Sequence, residues 1–117
     1  MSGGGDARGD ARARVYRELM RVEPGEVTTY ADLARAAGIP GGQRAVGRMM
    51  ATNPWPGIVP CHRVVRSDGT LGGYAHGGHI KEAMLESEGV HVRRGKISGF
   101  GGVRHSWGRP RRPSTRR

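Results

Sequence analysis

Apolar positions recur along this chain at helical spacing in four places. Between Asp10 and Val22, the residues Val15, Leu19 and Met20 share one side of a helical wheel, with Tyr16 beside them, which predicts a first helix. After the turn-forming "EPGE" at 23–26, Tyr30, Leu33, Ala34 and Ala37 repeat at i, i+3, i+4 and i+7. Thr29 is placed to cap that second helix and Gly38 to end it, with Pro40 just beyond. "IPGG" breaks the chain again, and a third helix is expected from about Gln43 to Thr52, with Val46, Met49 and Met50 as its apolar stripe. "RVVRSDGTLGG" reads as a hairpin, with Val64 and Val65 on the first arm and "SDG" supplying the turn. "GHIKEAMLESEG" is the last helix, with Ile80, Ala83 and Met84 facing inward and Gly89 at its end. "GKISGFGG" then offers an extended piece.

The third helix carries a second pattern. Arg44, Gly47, Arg48 and Ala51 fall on another face at the same spacing, and each is basic or very small. A glycine inside a helix costs about 1 kcal/mol relative to alanine, so close approach by something outside is one reason to keep it. Two short helices on a glycine-containing turn, followed by a hairpin, make a winged helix-turn-helix. A solvated helix pair fits the same periodicity. The expected fold class is mainly α with a small β-hairpin, a winged helix-turn-helix DNA-binding domain.

Composition sharpens the picture in two ways. The 117 residues are enough for one modest core, and the hydrophobic fraction of 35% is low. No apolar run approaches the roughly 20 residues of a membrane span, and the first residues lack the apolar stretch of a secretory signal. The net charge of +10 is uneven: residues 91–117 hold nine of the 20 basic residues and no acid. The expected organisation is therefore a flexible lead at 1–9, a domain at 10–103 and a basic tail at 104–117 without a fold of its own. Such a tail suits nucleic-acid phosphates, and a purely solubilising role fits its composition as well. A single cysteine forms no internal disulfide, and no ligand cluster suggests a metal. No cofactor is expected. A monomer in the cytosol, or in the nucleoid within it, is.

That cysteine, Cys61, stands in "NPWPGIVPCHRVV", where Pro54, Pro56 and Pro60 stiffen the backbone. Packing is one reading, since free cysteines are among the most buried residues. A nucleophile is the other. The thiolate is the reactive form, and its formation needs a base or a positive field. His62 is the nearest base. On an extended backbone the two side chains point to opposite sides, so a bridging water is expected between them. A histidine base also wants a partner on its other nitrogen, and Glu88 is the candidate. Its seat at a helix C-terminus is electrostatically awkward.

With these residues in view, "GEVTTYADLA", "RAVGRMMATNP", "IVPCHRVV" and "GTLGGY" resemble the C-terminal domain of the O6-alkylguanine-DNA alkyltransferases, from about Val15 to Gly89. The resemblance implies a protein that moves an alkyl group from O6 of guanine to its own cysteine, once, on double-stranded DNA and without a cofactor. It makes Cys61 the acceptor, His62 the base acting through water, Glu88 its orienting partner and Asn53 the brace of the turn. Arg44 is implied to enter the base stack. Tyr30 is implied to turn the target phosphate, touch the flipped base and supply a proton, although its spacing makes it a core residue. Met50 and Tyr74 would pack on the base, and the Val64 backbone would read guanine. Gly47, Arg48 and Ala51 would face the minor groove.

Several residues depart from that pattern. Ala75 stands where relatives often have serine, leaving only a backbone N–H for O6. His76 takes a usually small position, and Ala83 one that is often tryptophan. Most relatives also carry an N-terminal domain, and here only the Gly/Arg lead precedes the match. An alkyltransferase-like protein, which binds alkylated DNA without repairing it and has its cysteine replaced, fits that length; Cys61 argues against it. A winged-helix transcription regulator is a more distant alternative.

Overall fold

The Thr29 hydroxyl accepts a hydrogen bond from the Asp32 backbone N–H at 3.0 Å, which caps a helix as it leaves a short strand. The computed structural model describes residues 7–72 and 77–107, with the backbone alone at 7–10. The elements are α1 (Ala7–Leu19), β1 (Thr28–Thr29), α2 (Tyr30–Ala36), α3 (Gln43–Ala51), a 3₁₀ turn (Cys61–Arg63), β2 (Val64–Val65), α4 (Gly78–Ser87), β3 (Val92–Arg93), β4 (Lys96–Ile97) and α5 (Phe100–Val103). The described residues are mostly helical, with two small sheets. No helix among them is long and apolar enough to cross a membrane.

Strands β1 and β2 pair in parallel, with Thr28 opposite Val64 and Thr29 opposite Val65. This pair is the wall between two cores. Successive strand residues point to opposite faces. Val64 therefore enters the cluster of Val15, Leu19, Val22, Leu33, Val46, Met50 and Cys61, while Val65 enters that of Val27, Leu71, Leu85, Val90 and Ile97. Both faces being covered explains why "VV" shows no polar alternation.

Four expectations are corrected. Val64 and Val65 do not form the first arm of a hairpin. Residues 66–70 make a tight turn, with the Arg66 N–H donating to Thr70 O at 2.9 Å, and the antiparallel hairpin lies later, at β3–β4. On α4 the buried residues are Lys81 and Leu85, whereas Ile80 and Ala83 are exposed. The buried stripe sits one position further along because Lys81 finds partners inside. Helix α1 ends at Leu19, short of the expected Val22; beyond it Met20, expected on the apolar face, is exposed and Val22 is buried.

The fourth correction concerns the domain's edges. The helix α1 begins at Ala7, inside the stretch expected to be a loose lead. At the other end, Arg104–Trp107 are docked rather than loose, because three acidic side chains receive them. Arg104 pairs with Asp32 at 2.9 Å, His105 with Glu26 at 2.9 Å, and the Trp107 indole donates to Glu18 at 3.0 Å. The rest of the basic tail, 108–117, lies outside the described residues.

Candidate active site

The approach to Cys61 is held by Asn53. Its amide Nδ2 donates to Val59 O at 2.9 Å, and its Oδ1 accepts from the Trp55 N–H at 2.9 Å. The two bonds close the proline-rich loop across its neck, and Trp55 and Ile58 stand exposed on its rim. Trp55 packs edge-on to Tyr16, with ring centroids 6.3 Å apart.

From Cys61 to Arg63 the chain makes a 3₁₀ turn, not the extended run expected from the sequence. Successive side chains on such a turn project about 120° apart. Cys61 and His62 still do not face one another, and no hydrogen bond joins them among the described residues, but the cause is the turn. The same turn sends His62 and Arg63 to one carboxylate. His62 Nε2 lies 2.9 Å from Glu88 Oε2. Arg63 grips Glu88 with Nε on Oε1 at 2.9 Å and Nη2 on Oε2 at 2.8 Å, and its Nη1 reaches Val22 O at 2.8 Å. Glu88 caps the C-terminus of α4, and these two partners offset the unfavourable end of the helix dipole.

The electrostatics fix a protonation pattern. Burial works to raise the Glu88 carboxyl, but the hydrogen bonds from Arg63 and His62 outweigh it and hold it below its usual range. An ionised Glu88 accepts a hydrogen bond from Nε2–H, so the lone pair of the neutral ring is on Nδ1. That nitrogen is buried with no hydrogen-bond partner among the described residues. Burial also lowers His62 below its ordinary value, only partly countered by Glu88, so the ring is neutral near pH 7.

Behind this turn lies Lys81, fully buried, donating from Nζ to Val64 O at 2.7 Å and Leu71 O at 2.6 Å. Burial lowers it to about 8, opposed by the Cys61 sulfur and reinforced by Arg66. Its Nζ is 6.0 Å from the Tyr30 ring centroid. Tyr30 is half-buried and packs against the edge of the first core. Burial raises its phenol above the ordinary value, Arg66 opposes that, and Cys61 adds to it. Met50 is buried in the same core as Cys61. The Val64 carbonyl is engaged by Lys81. Tyr74 and Ala75 lie outside the described residues.

On α3, Arg44, Arg48 and Ala51 are exposed and Gly47 is half-exposed. A Cβ added at Gly47 would meet nothing within 4 Å. Nothing among the described residues requires a glycine there.

The sequence pattern of the family described as 6-O-methylguanine DNA methyltransferase, DNA binding domain, matches residues 10–90. The chain belongs to this family. The methylated-DNA–protein-cysteine methyltransferase of Rattus norvegicus is 42% identical over 100 residues, 85% of this chain and 47% of the rat protein. Mycobacterium tuberculosis OGT, solved in complex with DNA, is 41% identical with a TM-score of 0.65, over 74% of this chain and 51% of that one. S. pombe Atl1, solved with damaged DNA containing O6-carboxymethylguanine, is 28% identical with a TM-score of 0.74, over 84% of this chain and 96% of Atl1. The chain spans about half the length of the curated methyltransferases it matches.

Within this methyltransferase-family domain, two residues of the site escape a reading by pattern. Arg63 sits in the same "CHR" triplet as the expected base, and a cation there is a signal that Glu88 serves more than one partner. Lys81 lies one turn before Leu85 on α4, and counting it as inward requires accepting a lysine on an apolar stripe. The stem of a lysine is apolar, so the pattern was available once the charge was set aside.

Proposed function

We propose that this chain repairs O6-alkylguanine in duplex DNA by taking the alkyl group onto Cys61 in a single, irreversible step. The observation that carries the reading is the bare, buried Nδ1 of His62 beside the Cys61 turn, with its tautomer set by Glu88. Through one water, Nδ1 takes the Cys61 proton. The thiolate then attacks the alkyl carbon. A sulfur–carbon bond forms, the carbon–O6 bond breaks, and the electron pair stays on guanine. Tyr30 gives its hydroxyl proton to the purine ring, restoring neutral guanine. Nothing in this sequence regenerates the thiol, so each molecule reacts once.

O6 lies inside the duplex, so the nucleotide must be rotated out at a cost of a few kcal/mol. Helices α2 and α3 act as a helix-turn-helix with the hairpin β3–β4 as its wing, and α3 lies in the minor groove. Gly47 and Ala51 allow close approach, Arg48 meets phosphate, and Arg44 fills the gap in the stack. Met50, Tyr74, Ala75 and the Val64 backbone form the base pocket, and Asn53 keeps the Cys61 turn in shape.

The likeness in outline to Atl1, which this chain nearly spans, favours a second reading: binding of alkylated DNA without transfer. Intact-mass measurement after incubation with an O6-methylguanine duplex separates the two. Repair gives a gain of one methyl group, mapped to Cys61 and limited to one per molecule. Tight binding with no gain in mass supports the second reading.

A further inference from the structure

Arg66 has no part in the chemistry so far. It opens the tight turn 66–70, where its carbonyl accepts from the Gly69 N–H at 2.8 Å and its N–H donates to Thr70 O at 2.9 Å, so the base of its side chain is fixed. The side chain has no carboxylate partner among the described residues. The nearest acid in sequence, Asp68, is occupied by the Thr70 N–H at 3.0 Å and the Thr70 hydroxyl at 2.7 Å. Gly72 shows where the guanidinium lies. A Cβ added there would stand 3.4 Å from the Tyr30 hydroxyl and 3.5 Å from both Cγ and Nε of Arg66. The phenol oxygen and the Arg66 side chain therefore both approach the space beside Gly72 that a Cβ would fill. With the buried Lys81 Nζ 6.0 Å from the Tyr30 ring centroid, two cations lie near one phenol, and Arg66 disfavours the charge on Lys81. Packing like charges together does not stabilise the free protein. It suits a negative charge that appears between them.

We infer that Arg66 is a positioning residue for Tyr30, holding the phenol toward the pocket and stabilising the phenolate left when its proton passes to the departing guanine. This rests on the alkyl-transfer reading. The balance is complete: the O–H bond of Tyr30 breaks, an N–H bond forms on the purine, and the negative charge of the leaving group is transferred to the phenolate beside Arg66. Solvent later returns the proton. A buried phenolate is disfavoured by desolvation, so a cation at its oxygen is the group such a step needs. A DNA phosphate is the other anion a surface arginine meets. The approach of both side chains to Gly72, together with the Arg66 charge that opposes the rise of the Tyr30 phenol, favours the phenol.

The test uses free O6-benzylguanine, which carries no phosphate, in single-turnover reactions. Arg66→Ala is expected to slow transfer about tenfold, with Arg66→Lys recovering most of the loss. In a Tyr30→Phe background, Arg66→Ala is expected to add no further loss, since both changes remove the same step. An electron-withdrawing substituent on the purine, which improves the leaving group, is expected to shrink the Arg66→Ala defect. Additive losses in the double variant overturn the proposal. So does normal reaction with the free base alongside weakened duplex binding, which would put Arg66 on phosphate. Ultraviolet titration of the phenol, assigned by difference from Tyr30→Phe, reads the contact without any reaction. Tyr30 is expected to ionise at higher pH in Arg66→Ala, and an unmoved titration overturns the proposal even if the wild-type chain transfers no alkyl group.

Discussion

Around Cys61 the charged groups are enclosed and matched: His62 and Arg63 share Glu88, and Lys81 is held by two backbone carbonyls. On the outer face of α3, Arg44 and Arg48 stand in solvent with no carboxylate partner among the described residues, beside a glycine that no internal contact demands. The acids are distributed accordingly. Glu18, Glu26 and Asp32 fasten the C-terminal strap and Glu88 serves the site, while α3 carries none. A region that performs chemistry must hold its geometry before the substrate arrives, so its charged groups are paired internally and the buried Nδ1 of His62 is the atom left open. A region that binds a polyanion leaves its cations unpaired, so that association does not first have to break ion pairs.

The sharpest way to break this contrast is to disable one region and measure the other. Cys61→Ala is expected to abolish alkyl transfer while leaving duplex affinity within about twofold, less than 0.5 kcal/mol. Transfer is read by intact mass and affinity by fluorescence anisotropy. If both are lost in a folded variant, the two regions are not separate.

Arg44→Ala makes the converse cut. In the proposed mechanism Arg44 fills the stack as the base rotates out, which a free base does not need. Repair of duplex O6-methylguanine is expected to slow by about 100-fold, corresponding to about 2.7 kcal/mol, with the rate on free O6-benzylguanine unchanged. Equal losses on both substrates would place Arg44 in the structure or the chemistry.

Within the enclosed region, Glu88→Gln is the informative change. It removes the charge that the Arg63 guanidinium and the neutral His62 N–H share, at an expected cost of about 2 kcal/mol in a denaturant titration near neutral pH. The sign of the pH dependence follows from the shifts. The Glu88 carboxyl is lowered in the fold, so its stabilisation is present above the ordinary carboxylate value and is lost as pH falls through the lowered one. In the wild-type chain, burial lowers His62, so transfer is expected to be level above the ordinary histidine value and to fall only in more acid solution. Glu88 raises His62 against that burial. Its removal is expected to shift the acid limb to still lower pH, on a reduced plateau set by the freed tautomer. A limb that moves toward neutral pH would show that Glu88 does not act on His62.

How legible these regions were follows from what fixes each. The open face could be read from α3 alone, because Arg44, Gly47, Arg48 and Ala51 share a helical face by periodicity. The cap at Thr29 and the end at Gly38 were equally local. The enclosed region depended on tertiary partners. Nothing between residues 63 and 73 announces that Val64 pairs in parallel with Thr28 across two intervening helices, so a local hairpin was the natural reading. Nothing within α4 announces carbonyls waiting for Lys81, so Ile80 and Ala83 were turned inward in its place. The docking of Arg104–Trp107 was hidden for the same reason, since its acids lie on α1, before β1 and on α2. Tyr74 and Ala75, which the family resemblance implies for the base pocket, lie outside the described residues.

The smallest change expected to separate the two regions is Gly47→Ala. Its position is helical, and a methyl group there touches nothing in the free protein. Alanine is the better helix former by about 1 kcal/mol, so the variant is expected to be more stable by that amount, with Tm higher by roughly 5 °C. The same methyl group points outward from the face assigned to the minor groove, where Gly47 lets the backbone approach. Duplex affinity is expected to fall by about tenfold, or 1.4 kcal/mol, while reaction with free O6-benzylguanine keeps its rate. Stability and binding would then move in opposite directions from one atom, which a merely solvated helix has no means of producing. Calorimetry and anisotropy on the same preparation decide it. A gain in stability with unchanged affinity would remove α3 from the interface and leave its unpaired arginines to be explained another way.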